Sequence, residues 1–159
     1  MTTSLFAPVL IGLAAFAGME AVSYLMHRFV MHGPGIGVHA DHHAPSTGRF
    51  ERNDLYPGSF SVVAIALFAV GTSVPGLRWL VAAGIGMTLY GAAYFYVHDV
   101  YVHRRLPLPR PRWAPLRWLE RRHRIHHLYG GEPYGMLLPF VPRELRERAA
   151  RTRDSRSRL

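Results

Sequence analysis

Three stretches of this chain are almost free of charge, and they constrain its fold more than any other feature. Leu5 to Met26 is 22 residues with one charge, Glu20, while Leu55 to Leu77 and Trp79 to Val97 carry none. A helix rising about 1.5 Å per residue covers the roughly 30 Å hydrocarbon core of a bilayer in about 20 residues. The runs therefore predict transmembrane helices over 5–26, 55–74 and 79–97. The N-terminus has no basic residue and the first run continues past Ala15-Phe16-Ala17, which favours a span over a cleaved signal peptide. Pro75 and Gly76 make a tight reversal, so the second and third spans form a helical hairpin. Residues 134–141, YGMLLPFV, are apolar but too short to span, and are expected to lie in the interface or dip back into the bilayer. The expected fold is an all-α integral membrane protein, a single domain over 1–159 with three to four transmembrane helices.

Charge is concentrated outside these runs. All 19 basic residues are arginines, the net charge is +9 and the pI is near 10.8. Such a balance suits nucleic acid, but no helix-turn-helix, zinc-finger or RNA-binding signature accompanies it. Membrane topology accounts for it better. With three spans, the ends of the first and third emerge on one side together with all but one of the arginines, and only Arg78 lies near the other. The positive-inside rule makes the arginine-rich side the cytoplasm, which assigns residues 98–159 to it.

All ten histidines occur on that side, in four clusters reading H-x4-H, H-x2-HH, H-x4-H and H-x2-HH. They are His27 and His32; His39, His42 and His43; His98 and His103; and His123, His126 and His127. Imidazole is the commonest side-chain metal ligand and suits iron, copper, zinc and nickel. Residues three and four apart share a helix face, so each H-x2-HH can aim two or three rings at one point. The H-x4-H pairs are looser, because five α-helical residues rotate by roughly 140° beyond a full turn, and they call for a helix end or a bend. Ten ligands exceed the coordination number of one ordinary metal, which points to two. There is no cysteine, so disulfides, thiolate zinc sites and iron–sulfur clusters are excluded. No HExxH occurs, and the lone Glu120-x-x-His123 lacks the further carboxylates of a soluble di-metal bundle.

Two polar stripes lead toward these clusters. Glu20, costly within a span, is followed at i+4 and i+7 by Tyr24 and His27, and Tyr90, Tyr94, His98 and Tyr101 recur along the third span. Glu20, Tyr24, Tyr90 and Tyr94 are candidates for the wall of a substrate channel. Packing and a bilayer-interface aromatic belt are the plainer readings of the same residues.

HRFVMHGPGIGVHADHH, YVHDVYVH and HRIHH, with RFERNDLY before the second span, resemble the motif set of the bacterial β-carotene 3-hydroxylases. These are non-haem di-iron carotenoid hydroxylases of the fatty acid hydroxylase superfamily. The resemblance runs from about Glu20 to Phe140. It implies hydroxylation of β-carotene at ring carbon 3, through β-cryptoxanthin to zeaxanthin, with O2 and electrons from a ferredoxin-type donor. It also implies that the ten histidines ligate two iron ions, with no catalytic residue separate from the ligands, in a bacterial inner-membrane protein. After HRIHH the family tends to a Gly-Lys-Glu-Gly-Cys-type stretch, where this chain has YGGEPYGMLLPF. The chemistry agrees with the resemblance: an unactivated C–H bond needs a strong oxidant, which iron with neutral nitrogen ligands can generate from O2. Carotenoids dissolve in the bilayer, so metals at the span ends with a membrane-facing channel would receive the ring without passage through water.

An enzyme of this kind must draw electrons from a partner. Arg104, Arg105, Arg110, Arg112, Arg117, Arg121 and Arg122 offer an acidic ferredoxin a docking surface, although anionic lipid would place arginines there too. Two other readings are a fatty acyl or sterol hydroxylase or desaturase with the same metal site, and a histidine-rich metal transporter or sensor. Transport sites lie near the bilayer midplane, and the histidines here lie outside the spans.

Overall fold

The computed structural model describes residues 5–44 and 50–156. Residues 45–49, in the polar stretch between the first two apolar runs, lie outside them. Helix α1 (Phe6–Leu25) continues as a π-helical turn, Met26–Met31. A short α2 (Ile36–His39) and a 3₁₀ turn (Ala40–His43) follow, and a second 3₁₀ turn (Arg52–Asp54) leads into α3 (Leu55–Ser73). Helix α4 (Trp79–Phe95) runs into another π-helical turn, Tyr96–Val102, and α5 (Ala114–Tyr129) and α6 (Arg143–Arg156) complete the order. Among the described residues there is no strand.

Among the described residues, three helices are long and apolar enough to cross a membrane: Phe6–Met31, Arg52–Ser73 and Trp79–Val102. The first and third outrun the sequence expectation because the π turns prolong them. Helix α4 is the centre. A third of its most apolar window is buried, against none of α1 and 11% of α3. Its small residues let the neighbours approach: a Cβ on Gly86 would lie 2.1 Å from the Gly12 carbonyl oxygen of α1, and one on Gly84 would meet the Phe68 ring of α3 at 3.2 Å. Outward-facing Val9, Leu13, Val62 and Leu89 are more than half exposed, a surface that water would penalise. The α3–α4 reversal is as expected, with Gly76 at φ +85°.

Residues 134–141 do not form a fourth spanning helix. They run without regular structure beside α1, with Met136 and Val141 buried and Leu138 and Phe140 exposed. Met136 packs with Val97 and Leu119, which fastens the segment to the π turn after α4 and to α5.

Candidate metal centre

The H-x4-H pairs are resolved by the π turns rather than by a break in the helix. The His32 N–H bonds the His27 carbonyl oxygen at 3.0 Å and the His103 N–H bonds that of His98 at 2.9 Å. Closing the ring at i→i+5 makes five residues about one turn, so both members of each pair face the same way. The other six histidines come from the α2–3₁₀ segment and from the last two turns of α5, which ends at Gly130 in the left-handed region (φ +68°).

All ten rings meet at one end of the helices and divide into two groups. Ligand nitrogens of His27, His32, His39, His43 and His126 lie within 4.8 Å of one another, and so do those of His42, His98, His103 and His123. His127 stands at the junction, its Nε2 2.9 Å from that of His123 and its ring stacked on His43 with centroids 4.4 Å apart. The grouping cuts across the sequence clusters. Each H-x4-H pair stays together, whereas each H-x2-HH divides between the groups.

The Nε2 atoms point inward and face one another: His27 to His39 at 3.2 Å, His32 to His126 at 3.1 Å, His43 to His39 at 3.1 Å, His98 to His42 at 3.0 Å and His103 to His123 at 3.0 Å. Their outer nitrogens explain what those contacts are. His27 Nδ1 donates to the Tyr134 carbonyl oxygen (2.9 Å), His126 Nδ1 to that of Gly131 (2.6 Å), His42 Nδ1 to Glu51 Oε2 (2.9 Å) and His39 Nδ1 to Asn53 Oδ1 (2.7 Å). An oxygen acceptor fixes the proton on Nδ1, leaving Nε2 with only a lone pair. Lone pair then faces lone pair, as between His27 and His39, and only a cation between them reconciles the pair. The donor set therefore fits metal ions held by neutral nitrogen, and it fits two of them.

Electrostatics keep the rings neutral. Burial lowers His32, His43 and His103 to about 4, His126 to about 3 and His127 to about 2; neighbouring imidazoles push the same way, and for His103 Arg105 does too. Burial, then the adjacent rings, also lowers His42 and His123. At neutral pH every lone pair is available to a cation.

Beside the centre, between α1, α3 and α4, lies a largely apolar cavity of about 910 Å³. Phe60, Ile65, Phe68 and Met87 line it within the spans, and Asn53, Asp54, Asp99 and Arg105 line its polar end. No histidine lines it. Tyr94, Asn53 and Asp99 stand between: Tyr94 stacks on His98 at 4.9 Å, Asn53 holds His39, and Asp99 Oδ2 lies 3.3 Å from His98 Nδ1. Tyr90 and Tyr94 line the cavity, and Glu20 and Tyr24 do not. Glu20 accepts hydrogen bonds from the Tyr90 hydroxyl and from the Leu137 and Leu138 amides, and the Tyr24 hydroxyl donates to Glu132. A second, polar recess of about 310 Å³ opens beside His103, Glu120 and His123, flanked by Arg104 and Arg124.

The arginine surface is thinner than the sequence suggested. The side chain of Arg105, 10% exposed, pairs with Asp54 at 2.6 Å and Asp99 at 2.5 Å, which binds the starts and ends of two spans together. Arg110 donates to the Tyr101 carbonyl oxygen and pairs with Glu120, and Arg122 lies over the Trp118 ring. Arg104, Arg112, Arg117 and Arg121 remain exposed. Sequence reasoning missed Glu51, Asn53, Gly131 and Tyr134, which orient the rings, and Asp99, which lies beside His98. Three of them are polar residues at span ends, a signal within reach; Gly131 and Tyr134 act through carbonyl oxygens that every residue has.

The fatty acid hydroxylase family profile matches residues 12–145, and all ten histidines fall inside the match. The chain belongs to this family. Among curated members, it is 42% identical over 137 residues to a beta-carotene hydroxylase of Pseudescherichia vulneris, covering 83% of this chain and 74% of that protein. It is 40% identical over 136 residues to a beta-carotene hydroxylase of a Paracoccus species, covering 83% and 82%. The chloroplastic beta-carotene 3-hydroxylase 2 of Arabidopsis thaliana is 36% identical over 150 residues, which cover 90% of this chain and 48% of that longer protein. No solved structure matches.

Proposed function

We propose that this fatty acid hydroxylase family member hydroxylates β-carotene at ring carbon 3, through β-cryptoxanthin to zeaxanthin, using O2 and electrons from a ferredoxin-type donor. The observation that carries this reading is a ten-histidine, two-group centre abutting an apolar cavity that opens among the spans, in a chain whose curated relatives are named for β-carotene. The ten histidines would hold two iron ions, which supply the redox chemistry of O2. The overall change is one C–H bond, O2, two electrons and two protons giving one C–OH and one water.

The chain's own residues do the rest. Phe60, Ile65, Phe68 and Met87 would bind the apolar ring and polyene as they leave the lipid. Tyr94, packed on His98, forms the wall nearest the metals and orients the ring. Glu51, Asn53 and the Tyr134 and Gly131 carbonyl oxygens hold protons on Nδ1, so that Nε2 stays a ligand. The recess at His103 and His123 gives protons and water a route separate from the lipid-side cavity. The bilayer would be the bacterial inner membrane, with the histidines on the cytoplasmic face beside the exposed arginines.

Coexpression in cells that make β-carotene tests this: pigment chromatography is expected to show β-cryptoxanthin and zeaxanthin. Unchanged β-carotene together with hydroxylated acyl chains in the lipid fraction would favour the second reading, a fatty acyl hydroxylase, which the family's name supports.

A further inference from the structure

We propose that Glu20 is a positioning residue: from within the first span its carboxylate anchors residues 131–138, and through them it fixes the His27 and His126 rings of the first histidine group. This rests on the reading of that group as a metal site.

Glu20 precedes His27 by seven residues, so it lies roughly 10 Å below it along the helix. A carboxylate in an apolar span is costly unless donors surround it. Here Leu137 N–H (3.1 Å), Leu138 N–H (2.8 Å) and the Tyr90 hydroxyl (2.7 Å) all point at it. The benefit is mutual, since residues 134–141 are not helical and their amides have no i−4 carbonyl to bond. The approach is close: a Cβ at Gly135 would lie 2.8 Å from Glu20 Oε1 and 3.0 Å from the Leu138 carbonyl oxygen, so the carboxylate or the segment would have to shift.

The anchored segment reaches the metals within a few residues. Its Tyr134 and Gly131 carbonyl oxygens take the Nδ1 protons of His27 and His126. The Tyr134 ring packs edgewise on His27, His32 and His126, with centroids 5.3–5.4 Å away. A second tie is Glu132, which accepts from the Tyr24 hydroxyl at 2.7 Å and pairs with Arg28 at 3.3 Å. All of these contacts serve the first group. In the second group, His42 is oriented by Glu51 and His98 lies against Asp99, on other elements. A loosened segment should therefore disturb one group and spare the other, which a general loss of stability would not do.

The test compares full-length wild type, Glu20→Gln and Gly135→Ala in lipid nanodiscs. Gly135→Ala crowds the contact between the segment and the carboxylate without removing the charge, so it covers the case in which Glu20→Gln fails to fold. Amide exchange at Leu137 and Leu138 is measured without metal, and ferrous iron retention is measured against rising chelator. Exchange should quicken by roughly tenfold or more in both variants. One iron per chain should be lost at roughly 10- to 100-fold weaker chelator competition than in wild type, with the other retained as in wild type. Unaltered exchange would overturn the proposal, and so would quickened exchange with both irons retained or both weakened equally. A wild-type chain that binds no iron, whatever its exchange, would overturn the metal reading and the proposal with it.

Discussion

Glu51→Ala removes the acceptor that fixes the His42 ring. In the folded chain Glu51 Oε2 lies 2.9 Å from His42 Nδ1, and the two side chains are 6% and 1% exposed. No water can easily replace the lost partner, so a buried N–H is left unsatisfied at a cost of about 1–3 kcal/mol. The same side chain accepts the Asp54 amide in a reciprocal bond that starts the 3₁₀ turn before α3, and losing such a cap costs about 1 kcal/mol. The sum is about 2–4 kcal/mol of stability, and metal affinity in the second group should fall roughly 10- to 100-fold because the ring can turn. Glu51→Gln keeps an oxygen in place and should stay within about 1 kcal/mol of wild type. Thermal unfolding followed by circular dichroism, and iron per chain after dialysis against graded chelator, measure both quantities. Wild-type stability and iron retention in Glu51→Ala would refute the argument, as would Glu51→Gln falling as far as the alanine variant.

His126→Ala should abolish hydroxylation and lower iron per chain while the protein still inserts, since His126 is fully buried and its Nε2 lies 3.1 Å from that of His32; full iron and full activity would exclude it as a ligand. Tyr94→Ala takes away the wall packed on His98 and should slow turnover on the order of 10- to 100-fold with iron retained; an unchanged rate and product ratio would assign Tyr94 to packing alone. Arg112→Glu with Arg121→Glu, both exposed, should slow ferredoxin-driven turnover and flatten its salt dependence without loss of iron, and unaltered kinetics would leave those arginines to the membrane surface. The metal-free chain should lose stability as pH falls below about 6.5. Folded His32 and His43 hold off protonation until about 4 while the unfolded imidazoles charge near 6.5, so the unfolded state binds more protons across that interval. Stability should be complete above it, and denaturant melts at pH 5 and pH 7.5 with equal midpoints would contradict the shifts.

By itself, the sequence determined the three apolar helices, the hairpin at Pro75-Gly76 and the delivery of ten histidines to one end of the spans. These depend on run length, local spacing and topology, which are carried by residues near one another in the chain. Tertiary structure decided which rings face which. His39 and His43 join His27 and His32 while His42 joins His98, because the short α2–3₁₀ segment lies between the ends of α1 and α4 and each of its faces meets a different helix. It also gave Glu20 to the Leu137 and Leu138 amides, where helical spacing suggested a channel wall, and drew Arg105 inward to Asp54 and Asp99, where the clustering of arginines suggested a docking surface. A polar side chain bonds the donor or acceptor that folding brings within about 3 Å, and for these residues that partner lies 51 to 118 positions away or across a turn that no local pattern announces.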